Sequence, residues 1–379
     1  MLGRGEDFLD YYTAAIQLRH GNLYDATHFG ALALRVCGCA AGTYHSLYFP
    51  QLPFIPWFAQ PLTALPENLA FLLYDLLISA GIALAAWLTF ETWPQKARLL
   101  TALLIPVTGL ALKGAILGTD TWLVVVGLGI MWHARAHDAP LEAGLGLCLT
   151  MAKPQIGLPL VVVGLWGWPP MSRKRLAVVL ALALPLFFAL ALPLTTHPGI
   201  YGGWIASLQG LQNTGQGDQP NVRGLLQLFL PANLATAGAV AALPCALLLF
   251  CWTLGDPRES RAEWQAGWLG ALAVALLFTP YSHVTDSLLL VAPLLAVLFP
   301  SGDIAQMPAR VTRASLCIFI EVPLVFMLVE DISWTKQLYA LYPLWALWAS
   351  RNAPRRSAIG TREPSTHDPV PLATQAAAQ

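Results

Sequence analysis

Residues 68–90 read NLAFLLYDLLISAGIALAAWLTF, an apolar run of 23 residues broken by a single charge, Asp75. A helix of that length rises about 35 Å, enough to cross the roughly 30 Å hydrocarbon core of a bilayer. The same texture continues downstream. Apolar segments near 98–112, 120–134, 140–152, 155–168, 175–195, 233–254, 264–280, 286–299, 310–329 and 336–350 alternate with short polar loops. With the first run they predict eleven spans and an all-α, polytopic transmembrane bundle. The chain of 379 residues is 56% hydrophobic and only 11% charged, whereas soluble domains carry about 25% charged residues. Its 21 basic and 21 acidic residues cancel, so no global field selects nucleic acid, and membrane lipids are the expected surroundings.

Upstream of the first run the composition changes. Residues 1–67 are polar and rich in aromatics and proline, with no stretch long enough to span. Tyr11 to His20 suits a helix. Residues 50–66 (PQLPFIPWFAQPLTALP) are apolar but too short and too often interrupted by proline, which suits an interfacial or re-entrant segment. The tail 351–379 is polar and reads as disordered. The basic residues give the orientation. Lys96, Arg98, Arg135, Arg173, Lys174, Arg175, Arg258, Arg261, Arg310, Arg313 and the four arginines of the tail share one side, which the positive-inside rule makes cytoplasmic. Residues 1–67, the long loop 196–232 and the short loop 280–286 then face outward. An outward N-terminus needs a helix upstream of residue 1, or one span fewer around residues 140–168. Cys37 and Cys39 flank Gly38, but no second Cys or His pair completes a metal site, and the other four cysteines lie in apolar runs.

The outward side also collects the polar groups suited to chemistry: Gly5-Glu6-Asp7-Phe8-Leu9-Asp10-Tyr11-Tyr12, then Ala14-Ala15, Gly21 and Tyr24-Asp25, and in later loops Lys113, Asp120, Lys153, Asn221, Arg223, His283 and Asp286. Charges near a bilayer are costly and mark function by default, although a loop charge can simply be solvated.

These stretches, in this order, resemble the GT87 (DUF2029) family of glycosyltransferases. Tyr48-Phe49-Pro50-Gln51-Leu52-Pro53 with Pro61-Leu62 and Leu65-Pro66 is similar to the family's proline-rich segment, with Gln51 where a second proline is usual. Gly118-Thr119-Asp120 is similar to its Gly-Gln element, and Ala152-Lys153-Pro154 to its Lys-Pro element. Asn221-Val222-Arg223-Gly224 resembles its Asn-rich loop, and Thr279 through Asp286 its late outer loop. The resemblance covers residues 5 to about 290. It implies a GT-C architecture, a polyprenyl-phosphate sugar donor (mannose foremost), a glycolipid or glycan acceptor, no cofactor, and an active site on the periplasmic face of a bacterial inner membrane.

Such a transfer needs a base for the acceptor hydroxyl and positive charge for the departing phosphate. The resemblance points to Asp7 as the base. Asp10, three residues on, would share its helical face and is the second choice; its other reading is an acid favouring a helix N-terminus. A single carboxylate opposite the leaving group implies inversion, by analogy with glycosidases. Lys153, Arg223 and His283 are the expected phosphate partners. Lys153 also reads as snorkelling to the interface, Arg223 as a solvated charge and His283 as a structural histidine. Tyr12, Asp120, Asn221 and Asp286 are expected to bind substrate, Asp286 alternatively capping a helix. No metal ligand set is expected. The competing readings are a polytopic transporter or lipid flippase, which would carry its charges at mid-membrane, and a non-catalytic scaffold.

Overall fold

A computed structural model describes residues 6–19, 23–38, 49, 51–169, 171–212, 221–254, 261–279, 283–299 and 340–352, and every regular element among them is helical. The expected span 310–329, the start of the last span, the loop residues 213–220 and the tail beyond 352 lie outside the described residues.

The N-terminal unit holds α1 (Glu6–Leu18), α2 (Ala26–Cys37) and α3 (Phe54–Ala59), the last continuing into a 3-10 turn, Gln60–Ala64. The helix expected from Tyr11 begins five residues earlier, which brings Asp7 and Asp10 into it. Asp25 starts α2: one carboxylate oxygen accepts from the amides of Thr27 and His28 at 3.0 and 3.1 Å. Those amides, with the His28 ring, hold the Asp25 carboxyl below the usual carboxylate range. Tyr11, Phe29, Phe49 and Phe54 form an aromatic core that also buries Ala152 and Ile200, so this unit is bolted onto the helices downstream.

The bundle begins with α4 (Glu67–Thr89), then α5 (Gln95–Leu104) and α6 (Gly109–Leu117), α7 (Thr121–Ala136), α8 (Pro140–Thr150), α9 (Pro154–Trp166) and α10 (Arg173–Thr196). The loop 196–232 contains two helices, α11 (Ile200–Gln212) and α12 (Val222–Gln227). Then come α13 (Ala232–Ala241), α14 (Leu243–Leu254), α15 (Arg261–Phe278), α16 (Leu288–Leu298) and α17 (Leu341–Asn352). Starts and stops agree closely with the apolar runs. Among the described residues, α4 and α10 are long and apolar enough to cross alone, and four segments qualify if the bent pairs α5/α6 (51°) and α13/α14 (43°) each count as one. Helices of 11 and 13 residues, such as α8 and α9, rise only about 16 and 20 Å.

The short helices still run between the same two ends. At one end the Arg135 guanidinium faces Trp168 at 5.5 Å and Trp264 at 5.9 Å, and Lys174 pairs with Asp138. At the other, residues beside the starts of α7, α9 and α16 meet, and the His197 ring after α10 bonds the Leu18 carbonyl of α1 at 3.0 Å. Water drives no helix association in lipid, so close packing must do it. A Cβ on Gly127 of α7 would stand 2.5 Å from the Gly146 carbonyl of α8, and one on Gly146 would stand 2.7 Å from the Gly127 carbonyl. Large apolar side chains remain outside, among them Leu72 and Leu76 on α4 and Phe187 and Phe188 on α10. In water such a surface would aggregate; facing acyl chains it needs no partner.

Candidate active site

Three chain reversals build the site. The first comes after α6, which ends at Gly118 in the left-handed region (φ 71°). A Cβ there would lie 2.4 Å from the Phe8 Cβ, so α1 rests directly on this turn. Thr119, Asp120 and Thr121 then lead into α7. The second is the junction of α8 and α9, where Lys153 precedes Pro154 at the first helical position, a place proline favours. The third is the 3-10 turn Val284–Ser287 before α16. It is closed by the Asp286 carboxylate, which accepts the His283 amide at 2.8 Å.

These reversals bring Asp120, Lys153 and Asp286 together, each at most 3% exposed. The Lys153 ammonium donates to Asp286 Oδ1 at 2.7 Å and to Thr121 Oγ1 at 2.8 Å, and stands 3.4 Å from Asp120 Oδ1. Thr121 in turn donates to Asp286 Oδ1 at 2.9 Å. Two of the ammonium's three donors are thus used within this cluster, and its charge also faces Asp120. Lys153, expected as a phosphate partner, is placed here as the counter-ion of two carboxylates. Desolvating these charges is costly, and only their mutual attraction with full hydrogen bonding offsets it.

α1 covers the cluster. Tyr11 is buried, and its hydroxyl accepts from the Asp120 amide at 3.3 Å. Burial, with Asp120 and Asp7 beside it, holds that hydroxyl protonated, well above the ordinary tyrosine range. Asp7 sits in the first turn of α1, half-buried, close enough for its charge to act on Lys153, Tyr11 and Tyr74. Asp10 lies one turn on, also half-buried.

Sequence reading singles out Tyr12 of the Tyr11-Tyr12 pair. Its hydroxyl instead donates to the Leu65 carbonyl at 2.8 Å, and its ring packs with Phe8 and Ala70, so it ties α1 to the approach of α4. Tyr11 is the neighbour that reaches the cluster. A helix turns 100° per residue, and which of two adjacent tyrosines faces inward depends on packing that no spacing reveals. Asn221 is fully buried. Its carbonyl oxygen accepts the Gly224 amide at 2.9 Å, starting α12, and its amide donates to the Thr279 carbonyl at 3.0 Å. That link fastens α12, which carries Arg223, to the segment leading toward His283. Arg223 is half-buried, and its Nε makes no hydrogen bond among the described residues. Cys37 is held in a disulfide, which removes its sulfur as a metal ligand.

The family model described as Glycosyltransferase family 87 matches residues 52–280, from the segment before α3 to the end of α15. The match takes in Asp120, Lys153, Asn221 and Arg223; Asp7, Asp10, Tyr12, His283 and Asp286 lie beyond its ends. Neither the curated proteins nor the solved structures contain a match.

Proposed function

The chain therefore belongs to glycosyltransferase family 87, and from that premise we propose that it moves a hexose, mannose foremost, from a polyprenyl-phosphate donor to a lipid or glycan acceptor on the periplasmic face, with inversion. Membership makes it a membrane glycosyltransferase, with a sugar donor and an acceptor as its substrates. It also displaces the transporter and scaffold readings.

The observation that carries the mechanistic part is the contrast among the acids. Asp286 is saturated by Lys153, Thr121 and the His283 amide, and Asp120 is sealed beneath α1 beside the same ammonium. Asp7 is the acid with both partial exposure and a place beside this cluster. In the proposed reaction the Asp7 carboxylate takes the proton of the acceptor hydroxyl as that oxygen bonds the anomeric carbon. The bond from that carbon to the phosphate oxygen breaks, and polyprenyl phosphate leaves with the electron pair. Attack opposite the leaving group inverts the centre. The donor phosphate is assigned to Arg223, whose buried Nε has an unused donor, and to the half-exposed His283. Lys153 acts from beneath, fixing the Asp120 and Asp286 reversals. Asp10 is a second acid on α1, for the acceptor side.

The periplasmic placement rests on the basic residues gathered at the opposite end, and on the Cys37 disulfide, a bond at home in an oxidising compartment. Purified protein in detergent, given labelled polyprenyl-phosphate mannose and a membrane lipid extract, is expected to release polyprenyl phosphate and yield a labelled product. Transfer from nucleotide-linked mannose but not from the lipid-linked sugar would overturn the donor assignment.

A further inference from the structure

At the basic end, far from the candidate active site, His133 in the last turn of α7 and His137, the residue that caps it four positions on, lie on one face. Between α4 and α5 lies Glu91, whose Oε2 stands 2.7 Å from His133 Nδ1 and 2.8 Å from His137 Nε2. The two imidazole rings have centroids 4.3 Å apart. All three ligand atoms fall within 4.8 Å of one another. Asp120 precedes α7 by one residue, so this triad is about 20 Å along the helix from the acid–lysine cluster and takes no part in sugar transfer.

We propose that Glu91, His133 and His137 form a binding site for a divalent transition metal of the zinc class. The donor set is the first argument: two imidazoles spaced i, i+4 on a helix, joined by one carboxylate, are the borderline ligands such an ion prefers. Geometry is the second. Bonds of about 2.0–2.2 Å in a tetrahedron put donor atoms about 3.4 Å apart. The present separations of 2.7 and 2.8 Å are those of protons shared between the same atoms. A carboxylate shift of about 0.6 Å would replace those protons with an ion. Access is the third. The His137 side chain is 57% exposed and that of His133 29%, whereas Glu91 is 10% exposed, so the carboxylate is held and the imidazoles face solvent. Water completes the coordination.

Bound metal would clasp the loop after α4 to the end of α7, the two helices that also pack along their length through Gly129 against Ala85. Arg98 is the opposing charge. It stacks on Trp87 at 3.8 Å and donates from Nε to the Trp87 carbonyl at 2.6 Å, and its field reaches Glu91. It weakens binding, so micromolar affinity is expected rather than that of a closed structural zinc site.

The test uses full-length protein purified in detergent through a tag without histidine, titrated with Co2+ as the spectroscopic probe. Visible d–d absorption saturating near one equivalent is expected, with Zn2+ displacing it and raising the thermal unfolding midpoint. His137→Ala, at an exposed position, should lose the absorption and the zinc-dependent shift while remaining monodisperse. Glu91→Gln should weaken both at least tenfold, and His28→Ala, in the N-terminal unit, should change neither. Absence of saturable Co2+ binding below about 0.1 mM in monodisperse wild-type protein, or equal uptake by His137→Ala, would reduce the triad to a hydrogen-bonded pair of histidines on one carboxylate.

Discussion

Lys153 shows what a single residue in this chain does and how far its role is legible. Its type and place before Pro154 mark it as functional, and the sequence equally supports a phosphate contact or a snorkelling side chain. The structure makes it the counter-ion of Asp286 and Asp120 from positions 133 and 33 residues away. Pairings at such separations leave no local trace, and neither does the choice of Tyr11 over Tyr12. Removing one partner of a buried pair strands the others, at a cost of about 3–5 kcal/mol. Lys153→Met should therefore lower the thermal unfolding midpoint sharply in the absence of any donor, and adding Asp286→Leu should recover part of the loss. A Lys153→Met protein of unchanged stability with a tenfold higher donor KM would restore the phosphate role. Arg223→Ala is expected to behave in the opposite way, raising the donor KM about tenfold with little change in midpoint, because no hydrogen bond of its Nε is lost.

Among the elements, α1 matters most, and the sequence reading finds its second half, from Tyr11, but not the start that carries Asp7 and Asp10. The long apolar helices α4 and α10 declare themselves by composition. α2 (ATHFGALALRVC) is short and mixes polar with apolar residues, so its pattern does not stand out from a loop; its capping Asp25 is visible only as part of a family resemblance. The position of α1 depends on Gly118. Alanine there must adopt φ near 71°, unfavourable by about 1–2 kcal/mol for a residue with a Cβ, and would meet Phe8 at 2.4 Å. Gly118→Ala should lift the first turn of α1 from the Asp120 reversal. Sugar transfer should fall at least tenfold while the yield of monodisperse protein is kept, because the α4–α10 packing lies elsewhere. Transfer within twofold of wild type would show that the fit of α1 to this turn is not required.

For the whole molecule, hydropathy foretells the helices and charge foretells two distinct ends, while helix length marks two to four candidate spans among the described residues. α8, apolar apart from Glu142 and its terminal Thr150, and α9 have only 11 and 13 residues, and they pack against α7, α10 and α15. The orientation is open to direct chemistry. In a background lacking other cysteines, Thr27→Cys in the N-terminal unit should react with an impermeant maleimide on intact spheroplasts. Glu142→Cys, beside Asp138 at the basic end, should react only after permeabilisation; the reverse pattern would invert the molecule. The central claim is that α1 delivers the catalytic carboxylate to a sealed acid–lysine cluster. Transfer from polyprenyl-phosphate mannose, measured for wild type, Asp7→Asn and Asp10→Asn at matched amounts of folded protein, tests it most directly. The account predicts a loss of about 10²–10⁴-fold in Asp7→Asn, the range of general-base catalysis, and activity within a few fold of wild type in Asp10→Asn. Full activity in Asp7→Asn would contradict it.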